Sequence, residues 1–125
     1  EQIELLLKII YQFGFEKHLM FSSFNPYLLK MIKTIDSSLA TAVISNPGKP
    51  LLPSEICPDT KADAYICSLK ELNDIINNDA IQNGIYLGVY SVDNEEQFNE
   101  IKKYKLIAIG TNYPKIISDL VNNKT

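Results

Sequence analysis

Apolar and polar positions along this chain fall into blocks whose spacing switches between that of helices and that of strands. The clearest blocks lie in the stretch Ile85–Pro114. Its first block, Ile85–Val92, is rich in β-branched and aromatic residues and can be buried on both faces, as expected of a parallel strand flanked by helices. A polar segment then predicts a helix start, with Phe98 and Ile101 facing inward. Leu106–Ile109 predicts a second strand, so the stretch is expected to form a βαβ unit with polar residues after both strands.

The remainder of the chain repeats this alternation. Helices are predicted at Gln2–Phe13, at Pro26–Ile35, from a capping box at Ser68–Glu71, after the strand that ends near residue 92, and at Pro114–Val121. Strands are predicted at about 19–24, 41–45, 62–66, 85–92 and 106–110. This order predicts an α/β fold in which consecutive strands are parallel neighbours.

One segment does not follow the alternation. Asn46–Lys61 carries four prolines (Pro47, Pro50, Pro53 and Pro58) and is predicted to be a long loop. Loops of this length are usually lids or binding loops, although an insertion without a function is an equal alternative.

Composition narrows the possible partners. At 125 residues and 46% hydrophobic content, the chain is expected to form one domain, 1–125, with a real core. The net charge of -3 argues against a nucleic acid bound through a broad basic surface. The sequence contains no arginine, so a phosphate would have to be held by lysine, backbone amides or hydroxyls.

The two cysteines, Cys57 and Cys67, lack metal-ligand spacing and are expected to be buried free thiols. No apolar run approaches the length of a membrane span, and no signal peptide is visible, so we expect a cytoplasmic protein. The first residue is not methionine. We therefore expect a processed or truncated chain, or one piece of a longer protein.

The residues alone do not assemble a catalytic set. His18 is the only histidine, and it precedes a predicted strand, at the end opposite to where parallel sheets place their chemistry. Two segments, Ser22–Pro26 and Thr111–Pro114, each lead from a strand into a helix that begins with proline. The free amides at such helix starts suit a phosphate group, but the spacing alone favours plain helix capping.

Three segments resemble the carboxyl-terminal half of the glycerophosphodiester phosphodiesterase family, whose members are TIM barrels related to phosphatidylinositol-specific phospholipase C. Phe21–Leu29 resembles the family's Ser-Phe strand and the helix start after it. Gly84–Asn94 is similar to the motif Gly-x-x-Val-x-x-Trp-Thr-Val-Asn, and Leu106–Pro114 to Val-Asp-Gly-Ile-Ile-Thr-Asp-x-Pro. The resemblance spans nearly the whole chain and implies strands 4–8 of a (β/α)8 barrel, preceded by the third helix.

The resemblance also implies a function. Family members hydrolyse glycerophosphodiesters to glycerol 3-phosphate and an alcohol, in lipid metabolism, with histidines as general acid and base and a divalent metal, Mg²⁺ or Ca²⁺, held by carboxylates. Their catalytic and metal-binding groups lie on the first three strands, so this chain is expected to contribute none. It would supply the wall of the substrate pocket through Ser23, Phe24 and Tyr90, and its partners would be a small glycerophosphodiester and the missing amino-terminal half, or a dimer partner.

The sequence departs from the family pattern at several positions. Tyr90 takes the place of the tryptophan, Ile107 and Ala108 take the place of the aspartate and glycine, and Asn112 replaces the later aspartate. These departures leave open a catalytically degenerate member that binds a phosphate-containing ligand or acts as a regulatory module. A third alternative, an open sheet of flavodoxin or receiver type, would require a reversed strand order.

Two structural expectations follow from the barrel hypothesis. A half barrel leaves two sheet edges unpaired and exposes apolar side chains on its inner face, so it should pair with a missing half or dimerise. Phe24 and Tyr90 should point into one shared cavity at the carboxyl ends of the strands, near the Asn46–Lys61 segment.

Overall fold

A computed structural model describes residues 2–49 and 51–123 of the chain. Within these residues, five strands alternate with six helices. The helices are α1 (Gln2–Phe13), α2 (Pro26–Ile35), α3 (Pro53–Thr60), α4 (Asp74–Gln82), α5 (Glu95–Ile101) and α6 (Pro114–Asn122). The strands are β1 (Met20–Ser23), β2 (Ala40–Ile44), β3 (Ala64–Ser68), β4 (Tyr86–Tyr90) and β5 (Ala108–Gly110).

All five strands are parallel and lie in the order in which they occur along the chain, β1-β2-β3-β4-β5. A doubly wound sheet would reverse this order at an inner strand. The sequential order is that of a barrel wall, and the sheet forms a curled half-barrel with helices outside it. The predicted fold class is therefore confirmed, and the flavodoxin-like alternative is wrong.

Helices cover one face of the sheet, and the other face lines the barrel interior. Val43, Tyr65 and Leu87 lie in register on one face and pack with residues of α2, α3 and α4 in a buried cluster. The opposite face, toward the barrel interior, carries small residues such as Ala42, Ala64 and Gly88. On this inner face Met20 and Tyr86 are exposed, as expected for an incomplete barrel.

Local capping explains the helix starts that were predicted well. The Asn25 side chain accepts a hydrogen bond from the Tyr27 backbone N–H at 3.0 Å, and Pro26 occupies the first helical position of α2. Asn94 caps α5 by accepting from the N–H of Gln97, whose side chain accepts in turn from the N–H of Asp93. Asn94 and Gln97 together therefore fix the start of α5.

The long loop was predicted wrongly in its second half, because α3 occupies Pro53–Thr60. Pro53 occupies the first helical position, where a helix tolerates proline, whereas Pro58 lies inside α3. The Glu55 carboxylate accepts from the Leu52 N–H at 2.7 Å, and the Asp79 carboxylate accepts from the backbone and hydroxyl of Ser54. These bonds satisfy amides that an isolated helix start would leave free. Pro50 lies outside the described residues.

A second correction concerns the segment after β3, which ends at Ser68 rather than near residue 66. The predicted capping box at Ser68 and Glu71 does not open a helix. Its two side chains are hydrogen-bonded, but in a turn, and α4 begins at Asp74 with Asn73 as its cap. With this start, Ile76 is buried against the sheet, whereas Ile75 is 67% exposed.

Cys57 and Cys67 are buried free thiols, as predicted, and both belong to the cluster between the sheet and its helices. Burial raises the pKa of each thiol to about 12, so both are inert thiols at neutral pH. Within residues 2–49 and 51–123, no helix has the length and apolar character needed to cross a membrane.

Candidate functional site

The carboxyl ends of the five strands meet at one edge of the sheet, where parallel α/β proteins place their chemistry. Polar residues stand at or directly after several of these ends, among them Ser23, Ser45, Ser68, Ser91 and Thr111. We call this edge the carboxyl rim.

The predicted residue Tyr90 ends β4 at this rim, in register with Ser68 on β3 and Gly110 on β5. The neighbouring Val89 packs against α5, so alternation along the strand directs Tyr90 to the inner face. Its hydroxyl oxygen is buried and has no hydrogen-bond partner among the described residues. Burial raises the pKa of the phenol, with smaller contributions from Glu71 and Cys67.

Gly110 makes room for this tyrosine. A Cβ atom placed on Gly110 would lie 3.0 Å from the Cβ of Tyr90, closer than side chains normally approach. The Tyr90 carbonyl also accepts a hydrogen bond from the Leu69 N–H. Tyr90 is therefore fixed from both neighbouring strands at the inner face of the rim.

The other two predicted site residues stand at the end of β1. Ser23 is in register with Val43, which packs under the helices, and its hydroxyl accepts from the Asn25 N–H at 3.0 Å. Ser23 thus stabilises the turn into α2. Phe24 comes directly after β1 and is 46% exposed at the rim. The assignment of Ser23 and Phe24 to a pocket wall, and the cavity that Phe24 was predicted to share with Tyr90, stay predictions.

Glu71 also lies at the carboxyl rim, a position that the sequence did not predict. One of its carboxylate oxygens accepts from the Ser68 hydroxyl at 3.0 Å, and the other accepts from the Gly48 N–H at 3.1 Å. Glu71 therefore ties the loop after β2 to the loop after β3. The spacing of Ser68 and Glu71 predicted a capping box at a helix start, whereas the structure forms a side-chain hydrogen bond between them in a turn.

A second carboxylate, Asp93, ties the loop after β4 to the loop after β5. Its Oδ1 accepts from the Asn112 N–H at 2.8 Å and from the Thr111 hydroxyl at 3.1 Å, and its Oδ2 accepts from the Asn112 side-chain amide at 3.2 Å. The backbone hydrogen bond from Asn112, with the side-chain hydrogen bonds, lowers the pKa of Asp93.

Glu71 and Asp93 share one property at the rim. Each is held by neutral donors, and the ion pairs among the described residues involve neither of them. The same residues contain no group of three histidine, cysteine or acidic side chains that could hold a metal ion. The residues that are present therefore do not fit the divalent metal that the resemblance implies, and His18 precedes β1 at the opposite end of the strands.

Comparisons with known proteins bear on the fold. No protein-family model and no curated protein sequence matches the chain. Among solved structures, a Galdieria sulphuraria protein assigned as a glycerophosphodiester phosphodiesterase matches with a TM-score of 0.84 and 19% identity, over 94% of this chain and 49% of its own. A glycerophosphodiester phosphodiesterase from Parabacteroides distasonis matches with a TM-score of 0.81 and 15% identity, over 97% and 50%.

A phosphodiesterase from Oleispira antarctica, solved in complex with the product sn-glycerol-3-phosphate, matches with a TM-score of 0.73 and 19% identity, over 84% of this chain and 42% of its own. The chain thus spans about half the length of the solved structures that it matches. These likenesses confirm the expected fold, that of about half a glycerophosphodiester phosphodiesterase barrel.

Proposed function

We propose that this chain is the carboxyl-terminal half of a glycerophosphodiester phosphodiesterase, which hydrolyses glycerophosphodiesters to glycerol 3-phosphate and an alcohol once the other half of the barrel is in place. The observation that carries the proposal is the sequential parallel half-barrel shared with five solved structures of this kind. The motifs in Phe21–Leu29, Gly84–Asn94 and Leu106–Pro114 support it from the sequence.

In this proposal the chain binds substrate and the missing half performs the chemistry. Phosphodiester hydrolysis at neutral pH needs a positioned acid and base and stabilisation of charge on the phosphoryl oxygens. At the rim, the described residues offer two carboxylates engaged in loop hydrogen bonds and no histidine. Phe24 and Tyr90 would line the glycerol side of the pocket, with Ser23 behind them, and the divalent metal would be held by the missing half.

The test measures hydrolysis of glycerophosphocholine with Mg²⁺ or Ca²⁺. The 125-residue chain alone should show no turnover, because loss of acid–base catalysis alone costs roughly 10²–10⁴ in rate. The same chain, joined to an amino-terminal half that carries His-Arg-Gly and Glu-x-Asp motifs, should hydrolyse the substrate. Metal-dependent turnover by the purified chain alone would contradict the proposal, as would an inactive joined protein whose barrel is closed.

The alternative function is a degenerate family member that binds a phosphate-containing ligand without hydrolysing it. The residues that favour it are Tyr90, Ile107 and Asn112, which replace the tryptophan and the two aspartates of the family pattern. Calorimetric titration of the joined protein with sn-glycerol-3-phosphate separates the two functions. Binding without turnover supports the alternative, and turnover excludes it.

We also propose that the protein is located in the cytoplasm. The two free, buried cysteines support a reducing compartment, because disulfides form and persist mainly in oxidising ones. Fractionation of cells that express the full coding sequence, with immunodetection of this segment, tests the location.

A further inference from the structure

The carboxyl rim of this chain carries two carboxylates, Glu71 and Asp93, and the ion pairs among the described residues involve neither of them. The substrate of the proposed function is itself an anion, so a phosphodiester bound at the rim needs a cation close to it. The sequence contains no arginine, and His18 precedes β1 at the opposite end of the strands. Within this chain, the cation is therefore a lysine.

Between the strand ends and the helices that follow them, the sequence has two lysines, Lys49 after β2 and Lys70 after β3. Lys70 lines a surface pocket together with Ile75 and Ile76 of α4. Because Ile76 packs in the cluster between the sheet and its helices, this pocket lies on the helix side of the sheet. Lys70 is therefore placed toward the outer surface, which leaves Lys49 as the candidate for the inner side of the rim.

Lys49 follows a residue that is tied to the inner face of the sheet. The Gly48 N–H donates to Glu71 Oε2 at 3.1 Å, and Glu71 Oε1 accepts from the Ser68 hydroxyl at 3.0 Å. Ser68 ends β3 in register with Tyr90, which faces inward. Burial, and after it the negative charge of Glu71, raises the pKa of the Tyr90 phenol, so this carboxylate lies near the inner face. Two hydrogen bonds thus connect the loop after β2 to the inner side of the rim.

The backbone beside Lys49 forms a tight turn. The Lys49 N–H donates to the Asn46 carbonyl at 3.3 Å, and Gly48 has a φ of +85°, a conformation that favours glycine. The Lys49 side chain is exposed, and the ion pairs among the described residues do not include it. Its four-carbon stem lets the ammonium group reach out from the turn toward a ligand.

We propose that the Lys49 ammonium group binds the phosphate of the substrate, and that Glu71 is the positioning residue that holds the loop of Lys49 at the rim. The two hydrogen bonds that Glu71 accepts stabilise its carboxylate without a cation, which leaves Lys49 available for an anionic ligand. The inference rests on the proposed function for the phosphate ester. It assigns the contact to a residue outside the three family motifs quoted above.

The test uses the protein joined to an amino-terminal half, as described under the proposed function. Calorimetric titration with sn-glycerol-3-phosphate gives Kd, and steady-state hydrolysis of glycerophosphocholine gives KM and kcat. Lys49→Met should raise Kd and KM by about 5–20-fold, the loss expected for one charge-assisted hydrogen bond, with little change in kcat. Since salt screens exposed charges, KM should also depend less steeply on ionic strength in this variant.

Two variants are matched controls for charge. Lys49→Arg keeps the cation and should hold Kd and KM within about threefold of the unmodified values. Lys70→Met removes the other lysine of the rim loops and should leave both within about twofold. A loss in Lys49→Arg as large as in Lys49→Met would contradict a role for the charge.

The role of Glu71 is tested in two backgrounds. Glu71→Gln keeps an acceptor for only one of the two donors, so it should release the loop and raise Kd by about threefold when Lys49 is present. In the Lys49→Met background the same change should not raise Kd, because there is no ammonium group left to misplace. Equal increases in both backgrounds would show that Glu71 does not act through Lys49.

Unchanged Kd and KM in Lys49→Met would overturn the inference and leave the proposed function intact. So would equal losses in Lys49→Met and Lys70→Met, because they would indicate a general effect of rim charge. A joined protein that binds sn-glycerol-3-phosphate through Lys49 but hydrolyses nothing would support the inference and contradict only the hydrolytic function. A joined protein that does not bind sn-glycerol-3-phosphate would contradict both.

Discussion

Asp93 and Asn112 are held together by two hydrogen bonds, one from the backbone and one from the side chain of Asn112, across 19 residues of sequence. In the sequence pattern alone, Asn112 stands where the family motif has an aspartate, which indicates that a carboxylate is lost there. The structure shows that a carboxylate is still present between these two loops, on the β4 side instead of the β5 side. In the family motif quoted above, the β4 position holds asparagine, so the acid and the amide have exchanged places.

The first prediction concerns Asp93 and pH. Its pKa is lowered in the folded state, so its stabilising contribution is fully present above the unfolded pKa of about 3.9 and is lost as pH falls through the lower folded pKa. Asp93→Asn should therefore lower the free energy of unfolding at neutral pH, and the difference from the unmodified chain should shrink below about pH 4. Urea unfolding at a series of pH values measures it, with Glu100→Gln as the exposed control. A difference that does not change with pH would contradict the prediction.

The second prediction tests the exchange of acid and amide. Asn112→Asp alone places two carboxylates against each other and should destabilise the rim. Adding Asp93→Asn restores one acid and one amide, and should recover most of the stability that either single change loses. A double-mutant cycle measured by urea unfolding gives the coupling between the two positions. Additive losses in the double variant would show that the pair does not act as a unit.

The third prediction concerns an ion pair at the opposite end of the strands. Lys33 Nζ lies 2.7 Å from the Asp63 carboxylate and 2.7 Å from the Leu39 carbonyl, and the lysine side chain is 9% exposed. Lys33→Met should cost about 1–3 kcal/mol of unfolding free energy, because the Leu39 carbonyl and the partly buried Asp63 carboxylate lose their donor. Lys30→Met removes an exposed pair with Asp59 and should cost less than about 1 kcal/mol. Chemical denaturation of both variants checks the ranking, which equal losses would refute.

The fourth prediction compares two buried threonines. The Thr41 hydroxyl is buried without a hydrogen-bond partner among the described residues, whereas the Thr60 hydroxyl contacts the carbonyls of Ile56 and Cys57 at 3.1 Å. Thr41→Val removes an unsatisfied polar group and should leave stability unchanged or raise it by up to about 1 kcal/mol. Thr60→Val should lower it by about 1 kcal/mol. Thermal unfolding of the two variants measures the contrast, and a larger loss at Thr41 would contradict it.

The parts of this fold that depend on residues close together along the chain could be predicted from the sequence. Pro26 and the hydrogen bond from the Tyr27 N–H to the Asn25 side chain, two residues away, fix the start of α2. Both predicted ends of that helix agree with the structure. The sequence did not predict α3, whose start is stabilised in part by Asp79, 25 residues away from Ser54. The bridges made by Glu71 and Asp93 are missed for the same reason, since each joins loops that meet only when the strands are side by side.

The last prediction concerns the hydroxyl of Tyr90, which is buried at the rim without a partner among the described residues. In the chain alone, Tyr90→Phe should change stability by no more than about 0.5 kcal/mol, because no hydrogen bond is lost. In a completed, active barrel, removal of a hydroxyl that binds substrate should raise KM. We expect Tyr90→Phe to raise KM by about 3–10-fold with little change in kcat, which is the loss expected for one hydrogen bond made equally in the ground and transition states.

Tyr86→Phe is the matched control, because Tyr86 lies on the same strand and the same inner face but at the amino end, four residues from the rim. Its hydroxyl is too far along β4 to reach a ligand bound at the carboxyl ends, so KM should stay within about twofold of the unmodified value. Steady-state kinetics on glycerophosphocholine for both variants decides the matter. Equal effects of the two substitutions on KM would assign them to a general change in the barrel and remove Tyr90 from the pocket wall.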